Sequence, residues 1–276
     1  MKEIESDRLS FSAASKTGLA ACLLAAILIV VDGRLAVIPL AGFLALCLAA
    51  PFFPRFGFYL PVICRGISGE KAVAITFDDG PDPLTTPLLL KLLERYSIKA
   101  TYFITGEKAA RHPELVKAIL RQGHLVGNHS YNHSYRILFL TRPSIVKDIN
   151  AAQKVFSDFG IRPLAYRPPA GITSPGLQSA LLKTGMYAVN FSCRPLDGGN
   201  RRIGNLAQKI LDRIRPDDIV LLHDLRPPDE SLIPAWLNEI ELLLAGIETK
   251  GLTVWPLSEL IGKPIMKSNE KRKKTT

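Results

Sequence analysis

From about Lys71 onward the chain alternates short apolar runs with segments of helical periodicity, and no other feature of its 276 residues restricts the fold as tightly. "AVAITF" (72–77) is followed by a helical stretch near Pro87–Tyr96, in which Leu88, Leu89, Leu92 and Leu93 share a face, and then by "KATYFIT" (99–105). His112–Arg121 and "HLVGN" (124–128) come next. In Ser144–Phe159 the residues Ile145, Ile149, Ala152 and Phe156 keep helical spacing, and Gly160 suits the stop. "LAYRP" (164–168), a helix near Ser174–Lys183, "YAVNFS" (187–192), a helix near Ile203–Ile214, "DIVLLH" (218–223), a helix within Leu232–Ile247 and "LTVWP" (252–256) complete seven strands. Strict alternation implies a parallel sheet, wound by right-handed crossovers into a barrel or an open doubly wound sheet. Either architecture collects its chemistry beyond the C-terminal ends of the strands.

Upstream, Thr17 to Pro54 is almost entirely apolar, broken only by Asp32-Gly33-Arg34. One straight helix of that length would reach roughly 55 Å, against a hydrocarbon core of roughly 30 Å. Two arms fit better: Phe11 or Thr17 to Val31, and Leu35 to about Phe53, with residues 32–34 as the turn. Lys16 can snorkel, and Pro39 falls in the first turn or so of its arm, where it is tolerated. The stretch is too long for a cleaved signal peptide. In "LAAC" (19–22) the apolar run follows the cysteine, whereas a lipoprotein signal would precede it.

The expected organisation is an N-terminal tail (1–16), a membrane segment (17–54), a linker (55–70), an α/β domain (71–262) and a basic disordered tail (263–276). That places the chain at a cell membrane, the inner membrane of a bacterium, with lipid as the partner of the N-terminal helices. A hairpin returns to its starting side, where Lys2, Arg8, Lys16, Arg55 and Arg65 lie, and the positive-inside rule then puts the domain in the cytoplasm. A single span would put it outside.

Composition excludes some classes. At 47% hydrophobic residues the chain can build a sizeable core. The net charge of +10 is not a nucleic-acid footprint, because half of it sits in the tail (Lys263, Lys267, Lys271, Arg272, Lys273 and Lys274 against Glu270). No nucleic-acid partner is expected. Cys22, Cys47, Cys64 and Cys193 have neither disulfide-framework nor zinc-finger spacing.

The reactive residues follow the strand-end rule. Asp78 and Asp79 end the first strand, and Gly80-Pro81 breaks the alternation that would otherwise point them to opposite faces. "GNHSYNH" (127–133) follows the third strand and carries His129 and His133, whose i, i+4 spacing suits one face of a helical turn and a shared metal. "YRPPAG" (166–171) supplies Arg167 and "LLHD" (221–224) supplies His223. His112 and His124 lie elsewhere, at a helix start and a strand start, and read as structural. One carboxylate with two imidazoles is a divalent-metal ligand set that leaves room for water and substrate. The other aspartate can then act as general base toward water, held ionised by Arg167, while His223 protonates a leaving group. The set reads as metal-assisted hydrolysis of an amide or ester. No glycine loop for phosphates and no dinucleotide fingerprint is present.

"TFDDGP", "HSYNH", "RPPAG" and "LLHD", in this order and spacing, resemble the motifs of the polysaccharide deacetylase family, the NodB-homology domain of carbohydrate esterase family 4, over about residues 71–260. The resemblance implies a distorted (β/α)7 barrel, here preceded by the membrane hairpin, that removes acetyl groups from N-acetylated amino sugars. It implies that Asp79, His129 and His133 hold one divalent ion, zinc or else cobalt, manganese or nickel, and that Asp78 is the base. Arg167 would hold Asp78, His223 would be the acid, and the Pro168–Ala170 segment would face the reacting oxygen and the substrate, with the Ala170 N–H as oxyanion donor. Two departures stand out. Ala170 occupies a position often aromatic in the family. Where many members read Asp-x-x-Asp-Trp, this chain reads "RPLDG" (194–198), so Arg194 and Gly198 replace the first aspartate and the tryptophan, and Asp197 is left to partner His223.

The expected substrate is an N-acetylated glycan of the cell envelope or a lipid-linked sugar. The alternatives are a deformylase of a lipid-linked formamido sugar and a non-catalytic glycan-binding barrel.

Overall fold

A computed structural model describes residues 12–134 and 140–268. Two helices, α1 (Ala13–Val31) and α2 (Val37–Ala49), lead into β1 (Val62–Ile63), β2 (Ala72–Asp78), α3 (Thr85–Arg95), β3 (Thr101–Ile104), α4 (Gly106–Arg111), α5 (Pro113–Arg121) and β4 (Leu125–Asn128). The chain continues through α6 (Arg142–Asp158), β5 (Ile161–Pro163), β6 (Ala165–Tyr166), α7 (Leu177–Thr184), β7 (Tyr187–Val189), α8 (Leu206–Leu211) and β8 (Ile219–His223). It closes with α9 (Ile233–Thr249), β9 (Thr253–Val254), α10 (Leu257–Leu260) and β10 (Met266–Ser268).

The sheet runs β1-β7-β6-β4-β3-β2-β8, every pair parallel, with β9 joined to β2. Its two edges meet through isolated bridges, Cys193 with Val220 and Arg65 with Asp218, which curl it into a distorted barrel. All seven residues of β2 are buried, as a strand covered on both faces requires. On α6, Ile145, Ile149, Ala152 and Phe156 are the buried residues, and the helix is followed by Gly160 at φ 71°. On α3 the face turns slightly: Leu89, Leu90, Leu92 and Leu93 are buried while Leu88 is only half-buried.

Three details depart from the sequence reading. Val62–Ile63, within the expected linker, adds a parallel strand beside β7. Met266–Ser268, within the expected C-terminal tail, pairs antiparallel with β5. Of the two expected tails, residues 1–11 and 269–276 lie outside the described residues. The short helices α4 and α10 have no counterpart in the sequence reading, being too brief to show a period. All four cysteines are free.

α1 and α2 pack against each other across a turn at Asp32–Arg34, where the Arg34 N–H donates to Asp32 Oδ1 at 2.9 Å. A side chain at Gly18 would collide with the ring of Phe43, so the glycine permits the close crossing. The outer faces are left bare, with Ile27 64%, Val30 87% and Leu48 67% exposed. Apolar area on that scale is far beyond what a water-exposed surface normally carries. Ala13–Val31 is long and apolar enough to cross a membrane, whereas Val37–Phe52 is shorter.

The foot of this hairpin is fastened to the barrel. The Ala14 N–H donates to the Phe58 carbonyl at 2.9 Å, and the Tyr59 hydroxyl donates to the Cys47 carbonyl at 2.7 Å. Tyr59 and Leu60 are buried in one cluster with Ile145, Ile149 and Tyr166.

Candidate active site

Thr76 and Asp78 lie two residues apart on β2 and so face the same side of the strand, into the barrel. The Arg167 side chain comes in from the end of β6 and is fully buried. Its Nη1 donates to Asp78 Oδ1 at 2.6 Å and to Thr76 Oγ1 at 2.8 Å, its Nη2 donates to the Asn190 carbonyl at 3.0 Å, and its guanidinium lies 3.9 Å from the centre of the Phe103 ring. Burial lowers the pKa of this guanidinium, and Asp78 works in the opposite direction. The charge is tolerable there because its hydrogen-bonding edges and one face of its plane are occupied. Asp78 is thereby kept beside a fixed cation.

The next residue points elsewhere. Asp79 has φ 69°, a left-handed conformation that turns its carboxylate away from the strand and toward β4. The turn is held from below: the Asp224 N–H donates to the Asp78 carbonyl at 2.8 Å, and Lys108 Nζ donates to the Asp79 carbonyl at 2.6 Å. Asp224 itself is fully buried and accepts from the hydroxyls of Thr85 (2.7 Å) and Thr86 (2.6 Å). Burial pushes its pKa up to about 7. A Cβ at Gly80 would run into the Asp224 carboxyl, so only glycine fits between the turn and its support.

His129 and His133 do converge on Asp79, but not from a helical turn. Both follow β4 in a tight loop in which Ser130 (φ 68°) and His133 (φ 53°) are left-handed. Asn128 Oδ1 accepts from the Ser130 N–H at 2.8 Å, and Ser130 Oγ accepts from the His133 N–H at 2.9 Å. These side-chain bonds replace the helical ladder, and the i, i+4 spacing brings the rings together by a different route. Their centroids are 4.8 Å apart.

Nε2 of His133 and His129 lie 3.0 and 3.4 Å from Asp79 Oδ1, and all three candidate ligand atoms fall within 4.8 Å of one another. His129 Nδ1 donates to the Arg167 carbonyl at 2.8 Å, since a carbonyl can only accept. In the neutral ring its Nε2 is then a lone pair aimed at a carboxylate oxygen, and that Asp79 Oδ1 is buried without a hydrogen-bond partner. Burial and the neighbouring His129 lower the pKa of His133 to about 4, so His133 offers a lone pair at neutral pH. Burial works against a positive His129, but Asp78 and Asp79 outweigh it and raise its pKa. Burial likewise opposes the Asp79 anion, and the two histidines outweigh it, holding the carboxyl well below its usual range. At neutral pH Asp79 is therefore an anion facing two imidazole nitrogens. A nitrogen, nitrogen, oxygen donor set of this kind, with one side open, fits a divalent cation such as zinc.

Across the mouth, His223 is the last residue of β8, and its Nδ1 lies 2.9 Å from Asp197 Oδ2. Asp197 is buried, accepts also from the Asn200 N–H at 3.2 Å, and takes the carboxylate place that the altered "RPLDG" motif puts in question. Burial disfavours the imidazolium at His223, but the hydrogen bond and charge of Asp197 outweigh it and raise the pKa. Pro168 is buried, and its carbonyl accepts from the Gly171 N–H at 2.8 Å, while the exposed Ala170, at φ 55°, forms the cavity wall. His124 is buried, and its Nδ1 accepts from the Ala100 N–H at 3.1 Å; His112 sits at the start of α5. Neither enters the site.

Asp78, Asp79, His129, His133, Ala170 and His223 thus line one cavity of about 700 Å³ at the C-terminal end of the barrel. Thr76, Lys108 and Asp224 are supporting residues that sequence reasoning missed. Only the carboxylate of Asp224, one residue past His223, carried any signal.

The sequence model of the polysaccharide deacetylase family matches residues 65–189. The peptidoglycan-N-acetylglucosamine deacetylase of Bacillus cereus is 37% identical over 196 residues, covering 70% of this chain and 90% of its own length. A chitooligosaccharide deacetylase of a Bradyrhizobium species is 31% identical over 204 residues, covering 70% of this chain and 92% of its own. In fold, the crystal structure of a peptidoglycan N-acetylglucosamine deacetylase in complex with 4-naphthalen-1-yl-N-oxidanyl-benzamide superposes with a TM-score of 0.68 at 24% identity, over 74% of this chain and 94% of that one. The order of the four motifs, the curled parallel sheet and these relatives together make the chain a member of the polysaccharide deacetylase family, hydrolases of the amide bond of N-acetylated sugars.

Proposed function

We propose that this protein is a metal-dependent deacetylase that releases acetate from an N-acetylated amino sugar, N-acetylglucosamine by analogy with its relatives, in a lipid-linked or cell-envelope glycan. The observation that carries the reading is the division of labour between two adjacent carboxylates: Asp78 is ion-paired with buried Arg167, and Asp79 faces His129 and His133. Pure sugar binding needs neither arrangement.

Asp79, His129 and His133 would hold the cation. When bound there, a divalent ion supplies Lewis acidity toward the acetamido oxygen and makes water easier to deprotonate. Asp78 Oδ2, the oxygen not engaged by Arg167, takes the proton from the attacking water. Arg167 keeps that carboxylate aimed through its hydrogen bond to Oδ1. As the carbonyl carbon becomes tetrahedral, the Ala170 N–H donates to its oxygen. His223, its imidazolium favoured by Asp197, gives a proton to the sugar nitrogen as the C–N bond breaks. Acetate and a free amine result.

The bare hairpin motivates the membrane part of the reading, because it seats the barrel at a lipid surface with the charged Asp32–Arg34 turn at the opposite interface. The test is acetate release by the zinc-loaded, detergent-solubilised full chain from N-acetylglucosamine oligomers and from lipid-linked N-acetylglucosamine, beside Asp78→Asn and chelator-treated protein. Acetate release abolished by both treatments supports the assignment. Equal release by wild type and Asp78→Asn refutes it.

A further inference from the structure

The catalytic cavity is open toward the hairpin. A second cavity of about 810 Å³ adjoins it and shares Ala170, Phe191, Arg194 and Leu196 with it. The far wall of this second cavity is the hairpin foot, where Phe52, Phe53 and Phe56 are 60%, 56% and 81% exposed. Arg55, Arg194 and Arg213 also line it, all of them exposed. Among the described residues none of the three forms an ion pair, in contrast to Arg65, Arg95, Arg111, Arg167 and Arg226.

Two of these arginines are positioned by the barrel itself. Arg55 Nη2 donates to the Ser192 carbonyl at 3.0 Å, and the Arg194 guanidinium lies 5.3 Å from the centre of the Phe191 ring. Arg194 is also the residue that stands where an aspartate was expected, so a negative charge at the mouth has become a positive one. Like charges lining one cavity repel unless an anion joins them. A neutral glycan brings none.

The ligand that matches this lining carries an anion next to the sugar and an apolar chain beyond it. On a 2-acetamido sugar 1-phosphate, the phosphate sits on the carbon adjacent to the one bearing the acetamido group. With the acetamido group between Asp78 and His223, such a phosphate lies in the cavity that Arg194, the arginine common to both cavities, also lines. Arginine forks suit phosphate oxygens. Beyond the anion, the exposed phenylalanines lead to the hairpin and the lipid.

We propose that the second cavity is a phosphate subsite, built by Arg194, Arg213 and Arg55, which receives the phosphate of a lipid-phosphate-linked N-acetylated sugar while the lipid chain runs along Phe52, Phe53 and Phe56. The substrate assignment rests on the deacetylase reading above; the subsite itself can be tested apart from it.

The probes are synthetic farnesyl diphospho-N-acetylglucosamine and the matching farnesyl N-acetylglucosaminide without phosphate, presented to the zinc-loaded full chain in neutral detergent. Wild type is expected to favour the diphosphate by about tenfold or more in kcat/KM, and Arg194→Gln/Arg213→Gln is expected to bring that ratio close to one. Arg194→Lys/Arg213→Lys, which keeps both charges, restores part of the preference. No preference in wild type, or a preference that persists in the glutamine variant, overturns the subsite. If neither probe yields acetate, the lipid-linked form of the deacetylase reading fails, and equilibrium binding of the two probes still decides the subsite. Binding that favours the diphosphate in wild type but not in the glutamine variant upholds it, and equal binding of both probes overturns it. Should the double variant not fold, Arg213→Gln alone, a residue lining only the second cavity, carries the same comparison.

Discussion

Replacing Asp197 by asparagine should change how activity depends on pH more than it changes the enzyme's best rate. The His223 to Asp197 contact is 2.9 Å long, with the two side chains 15% and 3% exposed, so little water screens it. A hydrogen bond to a charged partner in such a place contributes about 1.5–3 kcal/mol. Expressed entirely as support for the imidazolium, that is about 10- to 150-fold in rate. The sign follows from the role. An acid must be protonated to act, so activity falls as pH rises through the pKa of His223. Asp197 raises that pKa above the ordinary value for histidine, and Asp197→Asn withdraws the charge, so the alkaline limb of kcat/KM moves to lower pH. At low pH, where both proteins carry the imidazolium, their rates should converge. The assay is acetate release by the zinc-loaded chain on one substrate across the pH range. An unmoved alkaline limb, or a loss of the same size at every pH, refutes the assignment of His223 as the acid tuned by Asp197.

Asp79→Ala and His133→Ala should each lose tightly bound zinc, read by mass spectrometry of dialysed protein whose circular dichroism is unchanged; retention of the metal would contradict the ligand set. Arg167→Met leaves Asp78 buried without its cation and should cost about 3–5 kcal/mol, seen as a lower thermal midpoint, and an unchanged midpoint counts against the buried pair. Gly80→Ala pushes a methyl group into the Asp224 carboxyl and should destabilise by about 1–3 kcal/mol while cutting activity, because the same turn aims Asp79. Wild-type stability and activity in that variant would show that the turn can relax.

Much of the architecture was readable from local pattern because a parallel sheet buries both faces of its strands and one face of each helix. Ile145, Ile149, Ala152 and Phe156 declare such a face by spacing alone. Val62–Ile63 could not be read, since two residues carry no period, and they form a strand only because β7 offers an unpaired edge. Met266–Ser268 sits in a lysine-rich stretch and gains its structure from β5 in the same way. At the site, chain order alone was enough to nominate Asp78, Asp79, His129, His133, Arg167 and His223, because each lies at or just beyond the C-terminal end of a strand. The helical turn expected for the two histidines was the wrong local geometry. Asn128 and Ser130 offer the backbone side-chain hydrogen bonds that outcompete a helix there.

Residue identity and order set the inventory in advance: two carboxylates, two imidazoles four residues apart, a guanidinium and a third histidine at strand ends, joined to an apolar segment too long for one simple span. Folding in three dimensions chose among the roles. The left-handed backbone at Asp79 separates the two carboxylates, Asp224 and its threonines hold that turn from beneath, and Asp197 finds His223 from a loop far away in sequence. These choices depend on contacts between residues tens to more than a hundred positions apart, and short-range pattern carries no information about which distant charge will meet which.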